Sequence, residues 1–236
     1  MLGRRARHVV EVLRAAPGDR IAVGLWRGPT GEAVVVEASA DQVLLSVNLA
    51  GDPPPPSPVS LVLALPRPKI LRKVLQAVAA MGVKRLALVG TYRVEKSYFS
   101  SPLLAPDAIE AELRLGLEQG KDTRPPDVSL HRHFKPFVED ELDALFAPVP
   151  GTRLLAHPGA QGLLDSLPPG GGGAVLAIGP EGGFTPYEAS TLVSRGFLPF
   201  SFGPRPLRVD VAVPYAVAQA ELWLRRRDPG PWRPDP

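Results

Sequence analysis

The pattern of apolar and polar positions changes at a run of four consecutive prolines, Pro53–Pro56. Such a run cannot continue a helix or a central strand, and it favours extended polyproline II. Before it, short apolar runs alternate with turn residues; after it, apolar runs of strand length alternate with stretches of helical periodicity. The pattern predicts a small domain over residues 1–52 and a larger one over residues 59–228, joined by a semi-rigid linker.

The first 50 or so residues predict a small antiparallel domain. Its Val- and Leu-rich runs have the length of strands, and turn residues such as Gly28-Pro29 and Ala40-Asp41 separate them. The predicted strands are Arg20 to Trp26, Glu32 to Ala38 and Gln42 to Val47. Short strands at this spacing are typical of a small barrel or sandwich. Because a domain of about 50 residues is only marginally stable alone, we expect it to depend on its neighbour.

The chain after the prolines predicts an α/β domain. The apolar runs that predict strands are Ser60–Leu65, Leu86–Gly90, Val128–His131, Arg153–Ala156, Ala174–Ile178 and Leu198–Phe202. Helical spacing runs from Ile70 to Met81, followed by Gly82 at a C-cap position. The other predicted helices are Pro106–Glu118, Pro136–Phe146, Pro186–Arg195 and Val211–Arg225. Alternation of strands and helices predicts a mostly parallel sheet that is covered on both faces.

Composition narrows the function classes. The 236 residues include no cysteine, which excludes disulfides, cysteine-based zinc sites, iron–sulfur clusters and a cysteine nucleophile. Apolar runs such as Val59 to Leu65 are far shorter than the ~20 residues that a membrane span needs. The start Met1–Arg7 is not followed by an apolar stretch of signal-peptide length. We therefore expect a cytoplasmic protein.

The charge of the chain is mildly basic, with a formal net charge of +3. This balance is compatible with nucleic-acid binding but does not establish it. Arginines cluster near both ends of the chain, at Arg4, Arg5, Arg7 and Arg14 and at Arg225–Arg227. A solvated surface and an RNA-binding surface are equally good interpretations of these clusters.

The stretch from Ala174 to Glu188 carries the clearest chemical signal. A continuous apolar run is followed by a glycine-rich loop, Gly179–Gly183, and then by a helix start with Thr185 as N-cap and Glu188 as the third helical residue. In open α/β sheets, ligands bind at this end of a strand, and glycines let the backbone approach a flat ligand closely. Glu181 could fix a ligand amine or hold the loop. A tight turn without a ligand is the alternative; a phosphate loop is excluded because its Lys is missing.

Two further loops follow predicted strands. Arg205 and Arg208 lie between the last strand and the last helix, where paired arginines can grip a phosphate or offset charge that develops on a base. An exposed charged turn is the alternative. His157 follows the strand that ends at Ala156, and a packed or capping histidine is the commoner interpretation of such a residue.

These loops resemble those of the SPOUT superfamily of RNA methyltransferases, and the RsmE-type family within it in particular. The resemblance extends over nearly the whole chain. The residues that carry it are Ile178–Phe184 with Glu188; Gly203, Arg205, Leu207 and Arg208 with Ala212; Glu118-Gln119 with Arg124 and Pro126; and His8–Arg14 leading to Gly18-Asp19.

The resemblance implies a PUA-like N-terminal barrel, a trefoil-knotted parallel-sheet domain and a homodimer. It further implies transfer of a methyl group from S-adenosylmethionine to N3 of a uridine in 16S ribosomal RNA. No metal is needed, because the methyl donor is a sulfonium. The cofactor-binding residues expected from it are Leu155, His157, Ile178, Gly179, Glu181, Gly183, Phe202, Gly203 and Leu207.

For catalysis we expect Arg208 to stabilise charge on the uracil and Arg205 to support the loop or the RNA. The expected RNA-binding residues are Arg4, Arg5, Arg7, Arg14 and Arg124. The departures from the family pattern that bear on the site are Pro206, Asp210 and Val211, where the family usually has Ile, Glu and Thr. These departures leave two alternatives open: a non-catalytic RNA-binding or ribosome-assembly module, and a SPOUT methyltransferase that acts on another RNA position.

Overall fold

The computed structural model describes residues 1–39, 41–147, 151–168 and 171–226. They form two compact units. The first comprises Met1–Pro55 with Leu117–Arg124, and the second comprises Pro56–Gly116 with the chain from Pro125 onward. Ala40, Arg227 and the expected end of the second domain at residue 228 lie outside the described residues.

The first unit contains a three-stranded antiparallel sheet in the order β1-β2-β3. The strands are β1 (Arg20–Gly24), β2 (Thr30–Ala38) and β3 (Val43–Gly51). All three strands were expected from the apolar runs. β3 continues four residues beyond the predicted end and stops at Gly51, two residues before the first of the four prolines.

A short helix at the N-terminus packs on this sheet. It consists of α1 (Arg4–Arg7) and a π-helical turn, His8–Val12. Its buried Ala6 and Val9 form a small core with Val35 and Val43. The sequence pattern does not predict this helix, because two buried apolar residues are too few to establish a helical period.

The second unit contains a six-stranded sheet in the order β6-β5-β4-β8-β7-β9, and all its neighbouring strands are parallel. Its strands are β4 (Val59–Ala64), β5 (Arg85–Val89), β6 (Asp127–His131), β7 (Gly151–Ala156), β8 (Gly173–Ile178) and β9 (Phe197–Phe200). Every residue of the central strands β4 and β8 is buried. Such continuous burial agrees with the predicted parallel sheet, and the α/β class is confirmed.

The remaining α-helices follow these strands along the chain. They are α2 (Pro68–Ala80), α3 (Pro106–Gly120), α4 (Phe134–Pro136), α5 (Leu142–Phe146), α6 (Pro186–Ser194) and α7 (Val209–Arg225). A π-helical turn, Phe137–Glu141, joins α4 to α5. α2 buries its predicted apolar face, and Gly82 follows it with a φ of +76°, the left-handed conformation that favours glycine after a helix. Within the described ranges, no helix combines the length and the apolar character that a bilayer crossing requires.

Candidate functional site

Three loops leave the second unit's sheet side by side. β7 lies between β8 and β9, and its last residue, Ala156, pairs with Ile178 of β8 and with Phe200 of β9. Because neighbouring strands lie ~5 Å apart, the chain segments that follow these three residues start as neighbours at one edge of the sheet. This edge is where open α/β sheets bind ligands.

The loop after β8 is a tight glycine turn. Gly183 N–H donates a hydrogen bond to Pro180 O at 2.7 Å, and Gly183 has a φ of +72°. Gly179 is buried, and a Cβ there would lie 2.9 Å from the backbone nitrogen of Phe184. The turn therefore needs glycine at both ends, and it exposes backbone groups at the strand's carboxyl end.

The helix that follows begins with the predicted capping box. Glu188 N–H donates to Thr185 Oγ1 at 3.2 Å, and Thr185 N–H donates to Glu188 Oε2 at 2.8 Å. Sequence reasoning missed the second use of this carboxylate: Tyr92 N–H, after β5, donates to Glu188 Oε1 at 2.7 Å. Glu188 is only 3% exposed. It thus connects the loop after β5 to the start of α6.

Two arginines that the sequence did not single out contact the glycine loop. Arg93 donates a hydrogen bond to Gly182 O, and Arg67 Nε lies 3.9 Å from Glu181 Oε1. Both arginines follow the carboxyl ends of strands, β5 and β4 respectively. Ligands bind at the carboxyl ends of strands in open α/β sheets. The rule that predicts the three loops could therefore also have indicated Arg67 and Arg93.

The loop after β7 leaves a buried polar atom without a partner. His157 N–H donates to Phe200 O at 2.9 Å, which ties this loop to β9. Its Nδ1 is buried and makes no hydrogen bond with any described residue. Leu155, which precedes it by two residues, is fully buried. Because buried polar atoms are nearly always paired, His157 offers an unused donor or acceptor to a ligand.

The loop after β9 combines apolar residues with exposed arginines. Gly203 has a φ of +101°, and its N–H donates to Ser201 Oγ at 3.1 Å. Phe202 and Leu207 are half-buried, whereas Arg205 and Arg208 are exposed. The predicted cofactor residues at the strand ends therefore lie on three neighbouring strands or directly after them, and Arg205, Leu207 and Arg208 lie in the connection from β9 to α7.

Asp210 lies between two cations at the start of α7. Its Oδ2 accepts a hydrogen bond from Lys73 Nζ at 2.9 Å, and its Oδ1 lies 3.6 Å from Arg208 Nε. The hydrogen bond from Lys73 lowers the pKa of Asp210; burial of the carboxyl opposes this shift, and the charges of Arg208 and Lys73 add to it. Asp210 is thus held as a carboxylate, although its side chain is only 6% exposed.

The predicted RNA-binding arginines all belong to the first unit, since that unit includes Leu117–Arg124. All five are exposed. Arg4 and Arg5 also form ion pairs with Glu118, at 2.6 Å and 3.0 Å. Glu118 therefore partly neutralises this cluster, which the sequence alone did not indicate.

Two cavities flank the second unit's sheet. One of about 450 Å³ lies beside the edge strand β6, where Phe99, Leu130 and Arg132 line it. The other, of about 220 Å³, borders the candidate site and is lined in part by Phe202, Tyr215 and Trp223. We assign the site to the ends of β7, β8 and β9, where the three predicted loops start as neighbours; Phe202 is the predicted site residue that also lines the smaller cavity. In the described part of the chain, no group of three or more His, Asp or Glu residues is arranged to bind a metal.

Comparison with known proteins gives consistent matches. Residues 53–221 match the family model of the RNA methyltransferase domain. The ribosomal RNA small subunit methyltransferase E of Treponema pallidum is 29% identical over 225 residues, which are 93% of this chain and 84% of that protein. The protein of the same name from Synechocystis is also 29% identical, over 92% of this chain and 70% of its own length.

Solved structures share the fold. A ribosomal RNA small subunit methyltransferase E from Neisseria gonorrhoeae, bound to S-adenosyl methionine, has a TM-score of 0.72 at 19% identity, with 94% of this chain and 90% of that chain covered. A probable rRNA-methyltransferase from Porphyromonas gingivalis has a TM-score of 0.71 at 21% identity, with 94% and 92% covered. The resemblance inferred from the motifs is confirmed. Because the family match extends over most of the chain, this protein belongs to the RNA methyltransferase domain family.

Proposed function

We propose that this protein transfers a methyl group from S-adenosylmethionine to N3 of a specific uridine in 16S ribosomal RNA. The family membership and the names of the curated relatives support a methyltransferase that acts on small-subunit ribosomal RNA. The observation that carries the proposal is the alignment of Ile178, Ala156 and Phe200 at the ends of three adjacent strands. Their loops supply one seat for a flat ligand.

The residues of this seat fit the proposed cofactor. Half-buried Leu207 suits an adenine ring, and the half-buried glycines at 183 and 203 leave backbone groups within reach of a ligand, whereas Leu155, Ile178 and Gly179 are buried at the strand ends. The unpartnered His157 Nδ1 and the carboxylate of Glu181 can bond to the polar groups of the ligand. Phe202 completes the set of nine residues. When bound, the cofactor supplies an electrophilic methyl group on a sulfonium.

Arg205 and Arg208 are the residues to which we assign roles in catalysis. Uridine N3 becomes a good nucleophile only when its proton leaves, and negative charge then spreads onto the uracil oxygens. Arg208 would stabilise this charge, while Arg205 supports the loop or contacts RNA phosphates. The protein's main task is to hold N3 in line with the methyl group. The N3 proton would pass to solvent, and the bond between the methyl group and sulfur would break as the bond to N3 forms.

RNA binding is assigned to the first unit, which we propose is a PUA-like barrel domain. Its three antiparallel strands and an additional bridge between Leu2 and Gln42 support that proposal. Arg4, Arg5, Arg7, Arg14 and Arg124 are the expected phosphate contacts. Binding of this kind weakens as salt is added, because counterions are released from the RNA.

We assign the second unit to the SPOUT class, with the trefoil knot implied by that class. The contacts of the segment after β7 support this assignment. Leu163 forms a bridge with Ser201, the residue after β9, and Leu167 O accepts a hydrogen bond of 3.5 Å from Nε1 of Trp223 on α7. We place the domain boundary in the proline segment, with domains at residues 1–52 and 59–228, although Leu117–Arg124 of the second stretch belongs to the first compact unit.

A homodimer in the cytoplasm is the proposed state of the protein. Exposed Val211, Tyr215 and Leu222 lie on α7 beside exposed Leu163. Large apolar side chains grouped on a surface are typical of an interface between protein chains. This surface borders the candidate site through the cavity that Phe202 and Tyr215 line.

Two measurements test the proposal. Calorimetry with S-adenosylmethionine tests cofactor binding, and a non-catalytic assembly module would bind little or none. Mass spectrometry of small-subunit ribosomal RNA from cells that lack the protein tests the substrate. We expect loss of one methyluridine, and restoration when the gene is returned. Loss of a modification at another position would support a different RNA target, and an unchanged RNA would refute the enzymatic assignment.

A further inference from the structure

Lys73 and Asp210 form a connection between two helices that the proposed reaction does not use directly. Lys73 lies on α2 and donates a hydrogen bond of 2.9 Å to Oδ2 of Asp210, in the first turn of α7. The Lys73 side chain is 54% exposed, whereas that of Asp210 is 6% exposed. The contact joins positions 137 residues apart in the sequence. Both residues belong to the second unit.

The second carboxylate oxygen of Asp210 points to Arg208. Oδ1 is buried and accepts no hydrogen bond from the described residues. Arg208 Nε lies 3.6 Å away, which is within ion-pair range but longer than a hydrogen bond. An unpaired buried acceptor is unfavourable, and contacts at active sites are often long in the free protein and tighten when substrate binds. A small movement of Arg208 would satisfy Oδ1.

We propose that Lys73 and Asp210 are positioning residues for Arg208. Lys73 holds one oxygen of the Asp210 carboxylate, and the other oxygen receives Arg208 Nε, which leaves the two Nη groups for the uracil oxygens. This inference rests on the proposed role of Arg208. The buried carboxylate restricts a long, flexible side chain, of which 68% is exposed, and so lowers the entropy that must be lost when charge develops on the substrate.

The arrangement needs both cations. Without Lys73, Arg208 would be the one cation that the described residues place against Asp210, and both carboxylate oxygens would compete for its guanidinium. Arg208 would then form a bidentate ion pair with Asp210 and move away from the substrate. Without the charge on Asp210, Arg208 would move more freely. Either change should lower the rate of the chemical step and leave binding of the cofactor intact.

Kinetics of Lys73→Met test this role against a purely structural one. We expect kcat to fall about tenfold, within the hundredfold that a misplacement of ~1 Å can cost. KM for both substrates and the affinity for S-adenosylmethionine should stay near the wild-type values. Lys73→Arg should restore kcat to within about threefold, because arginine can donate the same hydrogen bond. Lys69→Met, an exposed lysine one turn earlier on α2, is the matched control and should behave as wild type.

A double-mutant cycle decides whether Lys73 acts through Arg208. In an Arg208→Ala background, Lys73→Met should cause little further loss of kcat. A further loss equal to that seen in the wild-type background would mean that Lys73 acts independently of Arg208, and the inference would be wrong. Equal losses of kcat for Lys73→Met and Lys69→Met would contradict it as well.

Side-chain NMR supplies a readout that does not need catalysis. The Nε–H resonance of Arg208, assigned by its loss in Arg208→Ala, should be shifted by the nearby carboxylate in the wild type and should lose this shift in Asp210→Asn. An Arg208 resonance that is identical in the two proteins would overturn the inference. If the wild type does not methylate RNA but the resonance responds as expected, the proposed function fails while the positioning of Arg208 stands.

Discussion

Two buried carboxylates begin two helices at the same edge of the sheet, and they are used differently. Glu188, at the start of α6, accepts hydrogen bonds from backbone N–H groups of Thr185 and Tyr92. Asp210, at the start of α7, faces the charged side chains of Lys73 and Arg208. Both positions benefit from the helix dipole. Glu188 thus fixes backbone groups next to the glycine loop, whereas Asp210 fixes charged side chains next to the loop that carries Arg205 and Arg208.

This difference assigns distinct tasks to the two loops. Backbone held by a buried acceptor is well suited to a cofactor seat, because its geometry does not depend on flexible side chains. Arginines held by an ion pair remain able to adjust to RNA. We therefore expect changes near Glu188 to reduce stability and cofactor binding, and changes near Asp210 to reduce mainly the rate of methyl transfer.

The largest expected effect is on catalysis. Arg208→Ala should lower kcat by roughly 100- to 1,000-fold, the usual cost of removing one group that stabilises developing negative charge. Cofactor affinity, measured by calorimetry, should remain nearly intact. Arg208→Lys keeps the charge but not the planar guanidinium, so its kcat should lie between those of the wild type and Arg208→Ala. Wild-type activity of Arg208→Ala on ribosomal RNA would refute the role of this residue.

Glu188→Ala should reduce the free energy of unfolding by about 2–4 kcal/mol, measured by urea denaturation. The change removes the capping contact, worth about 1 kcal/mol, and leaves the partly buried N–H groups of Thr185 and Tyr92 without their acceptor, at about 1–3 kcal/mol. Glu188→Gln keeps a side-chain oxygen and should lose less. If Glu188→Ala and the wild type unfolded with the same urea midpoint, Glu188 would not have the structural role that distinguishes it here from Asp210.

Substitution of the loop glycines should separate stability from binding. Gly183→Ala and Gly203→Ala force alanine into φ values of +72° and +101°, so each should cost about 1 kcal/mol of stability. Both should also weaken binding of S-adenosylmethionine. Gly196, which follows α6 with a φ of +83°, is the control: its alanine variant should lose similar stability but bind the cofactor normally. Weaker binding by all three variants would point to a general loss of structure.

The smallest expected effect is a pH dependence of stability. Because the pKa of Asp210 is lowered in the folded protein, its ionised form stabilises the fold above its unfolded pKa of about 3.9. That contribution is lost as the pH falls through the folded value. Asp210→Asn should therefore unfold at lower urea concentration at pH 7, and the difference from wild type should shrink below about pH 4. Lys69→Met should follow the wild-type curve throughout.

Local features of this protein were predictable from its sequence. The nine strands of the described residues, the helix start at Thr185 and the class of the sheet follow from apolar runs, turn residues and capping chemistry. These features depend on near neighbours in the chain. The three candidate loops were also predictable, since ligand sites in such sheets lie after the strands. The N-terminal helix was missed because its buried face consists of only Ala6 and Val9.

Only the tertiary structure decided which loops are neighbours and what their side chains contact. Strand order places β7 between β8 and β9, although β9 is the last of the three in the chain. The contacts of Glu188 with Tyr92 and of Asp210 with Lys73 span 96 and 137 residues. Periodicity reports which face of an element is buried, but not which element covers it. Long-range pairs of this kind arise from packing. A carboxylate in the first turn of a helix can therefore accept hydrogen bonds from backbone N–H groups, as Glu188 does, or face charged side chains, as Asp210 does.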